Sequence, residues 1–188
     1  MTNRLRNLTC AVAFGVIASP VGATGIDIQV SGVANGMISI DLLEDVAPKH
    51  VEQITTLAEQ GFYDDVYFHR VIKGFMAQTG DGEHGEVEDG NSRRAGTGGS
   101  DLPDLPAEFS DISFERGIVG MARSTSPNSA NSQFFIVFGD ATFLDGQYTV
   151  VGRVTEGMDI VDKIKKGDPD SGAITGEPDR MVKVTVTE

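Results

Sequence analysis

FHRVIKGFMAQTGDG, residues 68–82, places Arg70 among aromatic and aliphatic side chains and ends on Gln78 and a Gly-Asp-Gly turn. The stretch contains no obvious nucleophile. Two short runs within and around it, VYFHRVI and FMAQTG, have the composition of β-strands. We therefore expect the arginine and the glutamine on a sheet, beside apolar neighbours.

Short alternating runs recur along the rest of the chain. IDIQVSG and GMISIDLLE flank the turn Ala34-Asn35-Gly36, which is a strong hairpin signal. Further strand candidates are ISFERGIVGMA, SQFFIVFG, YTVVGRVTE and RMVKVTVTE, whereas APKHVEQITTLAEQG and GMDIVDKIKKG have helical spacing. Many short strands with two helices predict a closed β-barrel capped at its ends.

The first residues have the pattern of a secretory signal peptide. A basic start precedes an apolar run at 8–18, and small residues lead to a cleavage site after Ala23. We predict a signal peptide at 1–23 and a single domain at 24–188, without cysteine because Cys10 lies in the leader. The apolar run is shorter than the ~20 residues that a membrane span needs, so we expect none in the mature chain.

The formal charge of the chain is −13, and the leader contains basic residues but no acidic ones. We therefore expect no nucleic-acid partner, because nucleic-acid binding depends on neutralising phosphates with basic side chains. Between 82 and 106 the sequence is polar, rich in glycine and without periodicity. This segment predicts a long surface loop.

Metal sites find little support in the sequence. His50, His69 and His84 lack ligand spacing, so we expect no metal and no cofactor. The segment DPDSGAITGEPD begins like a calcium loop, but Pro169 intrudes and Ala173 stands where an EF-hand needs glycine. We interpret it as a turn-rich loop before the last strand.

Phosphate binding, acyl transfer and carboxylate catalysis are also disfavoured. GTGGS at 96–100 has no lysine after its glycines, and we interpret it as a tight backbone turn. The serines at 124, 126, 129 and 132 belong to no G-x-S-x-G elbow and have no histidine near them in sequence. The acidic residues within 83–89 are interpreted as solvated charges, with no catalytic role.

With these kinds of site disfavoured, the remaining candidate for a functional site is an apolar surface with a few polar groups beside it. It is concentrated in residues 68–82 and in GIVGMARSTSPNSANSQFFIVFGDATFLDGQYTVVGRV. In SQFFIVF, Phe134 and Phe135 must face opposite sides of a strand, so only one of them can line a given surface.

These two segments resemble the cyclophilin family of peptidyl-prolyl cis-trans isomerases. FHR-x-I-x-GFM-x-Q-x-GD is matched almost completely, and GMAR, PNSANSQFFI, FLDG and VVGRV follow in the order and spacing of the family. GTGGSDLPDLPAEF resembles the bacterial branch, and the likeness covers about 26–188. It implies a mainly β fold, a closed eight-stranded antiparallel β-barrel capped by two α-helices, with a shallow groove on its outer face.

The resemblance also implies the roles of individual residues. Arg70 matches the catalytic arginine, and Gln78 and Gln133 match polar groups that hold the substrate backbone. The proline pocket corresponds to Phe75, Met76, Phe135 and Leu144. The edge that binds the residues before proline corresponds to Ala122, Arg123 and Ser124.

Phe143 and Tyr148 also belong to the substrate-binding surface that the resemblance implies, and the chain departs from well-studied eukaryotic members at four positions of this surface. Phe143 stands in place of tryptophan and Tyr148 in place of histidine, which keeps the pocket wall and removes the indole N–H donor. Arg123 and Ser124 replace asparagine and alanine, which favours acidic residues before proline.

The resemblance predicts an isomerase of X-Pro bonds that assists the folding of exported proteins, in the bacterial periplasm, as a monomer. Its partners are then proline-containing peptides and unfolded client proteins. The leading alternative is a non-catalytic, proline-directed chaperone or scaffold of the same fold. Retention of Arg70 beside Gln78 and Phe135 argues against it, and the lack of a nucleophile or metal signature argues against a hydrolase. His69 is interpreted as structural.

Overall fold

The computed structural model describes residues 24–86 and 94–188. These residues form one antiparallel sheet of nine strands with two α-helices. The strands are β1 Gly25–Ser31, β2 Gly36–Leu42, β3 Val66–Tyr67, β4 Arg70–Ile72, β5 Met76–Thr79, β6 Ile118–Met121, β7 Phe134–Val137, β8 Val150–Glu156 and β9 Arg180–Thr187. The predicted signal peptide at 1–23 lies outside the described residues, as do residues 87–93 of the surface loop predicted between 82 and 106.

The sheet is open and curled, so the expectation of a closed eight-stranded barrel is wrong. Its strand order is β3-β9-β1-β2-β8-β6-β7-β5-β4, with β3 and β4 at the two edges. The chain passes from β3 directly into β4 through Phe68 and His69. The two edge strands are therefore consecutive in the chain but form no hydrogen-bonded ladder with each other. The sheet is consequently a half-barrel and not a closed barrel.

The first helix, α1 Pro48–Glu59, agrees closely with the predicted one. Its buried face includes Val51, Ile54, Leu57 and Ala58, as the helical spacing predicts. The helix stops before Gly61, whose φ of 73° is a left-handed conformation that glycine adopts without steric cost. The second helix, α2 Met158–Lys163, is shorter than the segment that predicted it.

Two hydrophobic clusters lie on the two faces of the central strands. Phe134 belongs to the larger cluster, where its ring centroid is 5.7 Å from that of Tyr63. Phe135 belongs to the smaller cluster, where it stacks on Phe114 at 5.8 Å. The prediction that these two neighbours face opposite sides is confirmed. The larger cluster fills the fold beneath α1, and the smaller one forms the floor of a surface cavity.

No helix within 24–86 and 94–188 is long and apolar enough to cross a lipid bilayer.

Candidate active site

An apolar cavity of about 430 Å³ opens over the smaller hydrophobic cluster. It brings together all the predicted site residues except Ser124 and Gln133, which line an adjoining cavity. The walls are formed by Arg70, Phe75, Met76, Gln78, Ala122, Arg123, Phe135, Phe143, Leu144, Gln147 and Tyr148. Gln147 is the lining residue that the sequence reasoning missed, although it follows directly after the FLDG motif.

Register across the strands places the key side chains in one row. Arg70 of β4 pairs with Gln78 of β5, Gln78 pairs with Phe135 of β7, and Phe135 pairs with Gly120 of β6. Paired residues on neighbouring strands point to the same face of a sheet. A Cβ at Gly120 would lie 2.7 Å from both the Phe114 and Phe135 rings, so glycine there leaves room for their stacking.

A chain of hydrogen bonds runs along the polar side of the cavity. Arg70 Nη1 donates to Gln78 Oε1 at 3.4 Å, and Gln78 Nε2 donates to Gln133 Oε1 at 2.9 Å. Gln133 Nε2 in turn donates to the carbonyl of Gly98 at 2.8 Å. The guanidinium is therefore tied to the 96–100 loop through two side-chain amides.

Aromatic rings form the opposite side. The Phe75 and Phe143 ring centroids are 5.3 Å apart, and the Phe135 and Tyr148 rings meet edge to face at 5.8 Å. Phe143 is 62% exposed and forms the rim, whereas Leu144 is buried at the end of a short 3₁₀ helix, Thr142–Leu144. This arrangement suits a small apolar ring, held between an apolar floor and the Arg70 guanidinium at the polar edge.

Arg123 lies where the two cavities meet. Its guanidinium carbon stands 4.4 Å from the centre of the Tyr148 ring, a cation–π contact. Nε and Nη2 donate to the carbonyl of Gln147 at 3.2 and 3.0 Å, and Nη1 donates to that of Ser124 at 3.0 Å. Arg123 thus fastens the segment after β6 to the segment before β8.

The adjoining cavity, of about 500 Å³, is polar and is lined by the 96–100 loop together with Asp104, Ser124, Ser129 and 131–133. It shares Gln78, Ala122 and Arg123 with the apolar cavity. Asp81 is fully buried and accepts hydrogen bonds from the backbone amides of Gly96 at 2.6 Å and Gly98 at 3.0 Å. The GTGGS turn predicted from the sequence is therefore held by a carboxylate and forms one wall of this cavity.

His69 lines neither cavity. Both of its ring nitrogens are buried, and a Cβ at Gly96 would lie 2.9 Å from its Cδ2. Burial lowers the pKa of this imidazole from 6.5 to about 4. The ring is consequently neutral at physiological pH, and it lies directly against Gly96 of the 96–100 loop. Within the described ranges, no group of three or more histidine, cysteine, aspartate or glutamate side chains is placed to hold a metal ion.

The sequence matches a family model described as cyclophilin type peptidyl-prolyl cis-trans isomerase/CLD over residues 25–186. A probable peptidyl-prolyl cis-trans isomerase of Brucella suis is 51% identical over 177 residues, which cover 94% of this chain and 90% of the relative. Among solved structures, a cyclophilin from Hirschia baltica is similar with a TM-score of 0.70 and 25% identity, covering 86% of this chain and 73% of the other. A cyclophilin type isomerase of Cryptosporidium parvum, solved in the presence of the dipeptide Ala-Pro, shares the fold with a TM-score of 0.72 and 23% identity, covering 87% and 99%.

Proposed function

This chain belongs to the cyclophilin-type peptidyl-prolyl cis-trans isomerases, and we propose that it uses Arg70 to accelerate X-Pro isomerisation in exported proteins as they fold. The observation that carries the proposal is the position of the Arg70 guanidinium, at the polar edge of an apolar cavity large enough for a proline ring.

The reaction breaks no covalent bond. An X-Pro amide interconverts slowly because its twisted state loses resonance, with a barrier of about 18–20 kcal/mol. Raising the rate to about 10²–10³ per second requires about 4–7 kcal/mol of preferential transition-state binding. No nucleophile is needed, in agreement with the residues that surround the cavity.

Arg70 supplies the selective interaction. When the amide twists, the proline nitrogen recovers its lone pair and becomes a hydrogen-bond acceptor, which it is not in the planar state. A guanidinium aimed at this nitrogen therefore stabilises the twisted state more than either planar isomer. Arginine suits the role because its fork is rigid and stays charged at ordinary pH, whereas lysine presents a flexible, strongly hydrated point charge.

The apolar cavity holds the ring while the acyl side turns. Phe75, Met76, Phe135 and Leu144 provide the floor and walls, and water excluded from them strengthens the bond from Arg70. A charge-assisted hydrogen bond contributes about 1.5–3 kcal/mol, so the shaped cavity must provide the remainder. The residues before proline extend past Ala122 and Arg123 into the polar cavity, within reach of Gln133 and Ser124.

Function outside the cytoplasm rests on the sequence of the first 23 residues, together with the GTGGSDLPDLPAEF segment. In this proposal the leader is cut after Ala23 and a monomer of residues 24–188 acts on unfolded clients. Mass spectrometry of the protein recovered from the periplasm tests the cleavage site, and light scattering tests the monomer. An uncut chain retained in the cytoplasm would overturn this part.

The catalytic part is tested by a proline-isomerisation assay on the mature chain and on Arg70→Ala. We expect kcat/KM to fall by about two decades, because the interaction made in the twisted state is lost, while peptide affinity changes less. Arg153→Ala is a matched control, since Arg153 is exposed on β8 and lines neither of the two cavities.

Equal rates for the mature chain and Arg70→Ala would contradict the assignment of Arg70. Tight peptide binding without acceleration by the mature chain would favour the alternative, a proline-directed binding module of the same fold.

A further inference from the structure

The connection between α2 and β9 contains a loop, residues 168–173, that lies along the edge strand β4. Val71 N donates to the carbonyl of Gly172 at 2.8 Å, and Gly167 N donates to the carbonyl of Val71 at 2.9 Å. Arg70 and Ala173 form an isolated antiparallel bridge. The segment that the sequence likened only weakly to a calcium loop thus covers the strand that carries Arg70.

The loop contacts Arg70 directly at two points. Arg70 Nε donates to the carbonyl of Ser171 at 3.1 Å. Gly172, with a φ of 77°, presses against the aliphatic stem: a Cβ there would lie 3.0 Å from Arg70 Cγ and 2.6 Å from Ile72 Cγ1. Only glycine allows the loop backbone to approach the arginine this closely without displacing it.

A side-chain clamp fixes the direction of the Ser171 carbonyl. Asp168 Oδ1 accepts hydrogen bonds from the backbone N–H groups of Asp170 and Ser171, at 3.1 and 2.9 Å, and from Ser171 Oγ at 2.9 Å. Ser171 Oγ also accepts from Ala173 N at 3.2 Å. The bonds from the Ser171 backbone and hydroxyl, and then that from Asp170, lower the pKa of Asp168 and keep this carboxylate ionised at neutral pH.

We infer that the 168–173 loop is a positioning element for the isomerase reaction, which holds the Arg70 guanidinium in its working orientation. The Ser171 carbonyl fixes Nε, Gln78 accepts from Nη1, and Nη2 has no hydrogen-bond partner in the described chain. The inference rests on the proposed catalytic role of Arg70. A long side chain aimed at a transient lone pair loses catalytic effect when it is displaced by a fraction of an ångström.

The test compares Gly172→Ala with Gly176→Ala. Gly176 lies in the same connection and has a similar φ of 71°, but the nearest atom to a Cβ there is Lys165 Nζ at 3.6 Å. Both variants place alanine in a left-handed conformation, whereas only Gly172→Ala presses on Arg70. We expect Gly172→Ala to lose more thermal stability than Gly176→Ala, because its Cβ also meets Ile72. Only Gly172→Ala should lose kcat, by about tenfold or more, with KM little changed.

A second comparison separates positioning from general damage. In an Arg70→Ala background, Gly172→Ala should cost no further activity, because the group that the loop positions is gone. Asp168→Ala should lower kcat several-fold and Asp168→Asn should restore most of it, since an amide oxygen can still accept the bonds from Ser171. If Gly172→Ala does not fold, the two Asp168 variants in the two backgrounds decide the question.

Equal activity of Gly172→Ala and Gly176→Ala would overturn the inference, as would a loss that persists undiminished in the Arg70→Ala background. Both outcomes differ from failure of the proposed function, in which the mature chain itself does not accelerate isomerisation.

Discussion

The side-chain amides of Gln78 and Gln133 are hydrogen-bonded to each other, with Gln78 Nε2 donating to Gln133 Oε1 at 2.9 Å. This bond fixes the orientation of both amides. Gln133 must direct its Nε2 to the carbonyl of Gly98, and Gln78 must direct its Oε1 to Arg70 Nη1. Gln78 thus presents an acceptor to the guanidinium and not a donor, which would repel it.

Gln133→Leu should lower kcat/KM even though residue 133 does not touch Arg70. The leucine removes the acceptor that orients Gln78, and the amide of Gln78 is then free to turn away from the arginine. Since one neutral hydrogen bond contributes about 0.5–1.5 kcal/mol, we expect a loss of up to about tenfold. The measurement is the proline-isomerisation assay with saturating and limiting peptide.

Gln29→Ala is the control for this variant, because Gln29 is exposed on β1 and belongs to neither cavity. A Gln133→Leu protein that is as active as Gln29→Ala would show that the amide chain has no influence on Arg70.

Arg123 should give the enzyme a preference for acidic residues before proline. The guanidinium is held by Tyr148, Gln147 and Ser124 at the passage between the two cavities, in a chain whose net charge is −13. A partly exposed charge pair contributes about 0.2–1 kcal/mol, so kcat/KM for a Glu-Pro peptide should exceed that for the matched Lys-Pro peptide by a few-fold. The ratio should shrink as salt is added, because exposed charges are screened.

The discriminating pair is Arg123→Lys and Arg123→Gln. Lysine keeps the charge and should keep most of the preference, whereas glutamine should abolish it. Equal ratios for the original protein and Arg123→Gln would mean that this charge does not select the substrate.

The sequence predicted much of the fold because its strongest signals are local. The amphipathic spacing of α1 and the opposite faces of Phe134 and Phe135 follow from helical and strand periodicity, and both are confirmed. The run VYFHRVI was predicted as one strand, but the structure divides it at Phe68 and His69, where the chain crosses from one sheet edge to the other. Nothing local marks that crossing, since it depends on strands far away in sequence.

The candidate site, like the fold, could be predicted from the sequence only where its residues lie in local motifs. Apart from Gln147, the residues of the apolar cavity are those that the resemblance identified, because they lie in compact motifs. Asp81 and Gly172 were not predicted, although both hold parts of the site in place. Each acts through a residue far away in sequence or through the path of the backbone: Asp81 binds amides of the 96–100 loop, and Gly172 lies against Arg70. Such contacts become visible only when the strands have been assembled.

His69 should make the protein less stable as the pH falls from about 6.5 to 4, without contributing to catalysis. Burial lowers its pKa in the folded state from 6.5 to about 4. Above this window the imidazole is neutral in both states, and within it the unfolded chain binds a proton that the folded chain excludes. The free energy of unfolding should therefore decrease with falling pH, by about 3 kcal/mol once pH 4 is reached.

Denaturant unfolding at pH 7.5 and pH 4.5 measures this effect, with His69→Gln as the comparison. Glutamine is similar in length and does not titrate, so the variant should lose less stability between the two pH values, by about 2–3 kcal/mol. Its isomerase activity should stay close to that of the original protein, and the activity of both should be nearly flat between about pH 6 and 9, since no group in the proposed mechanism titrates there. A bell-shaped activity profile that disappears in His69→Gln would instead make this histidine a participant in the reaction.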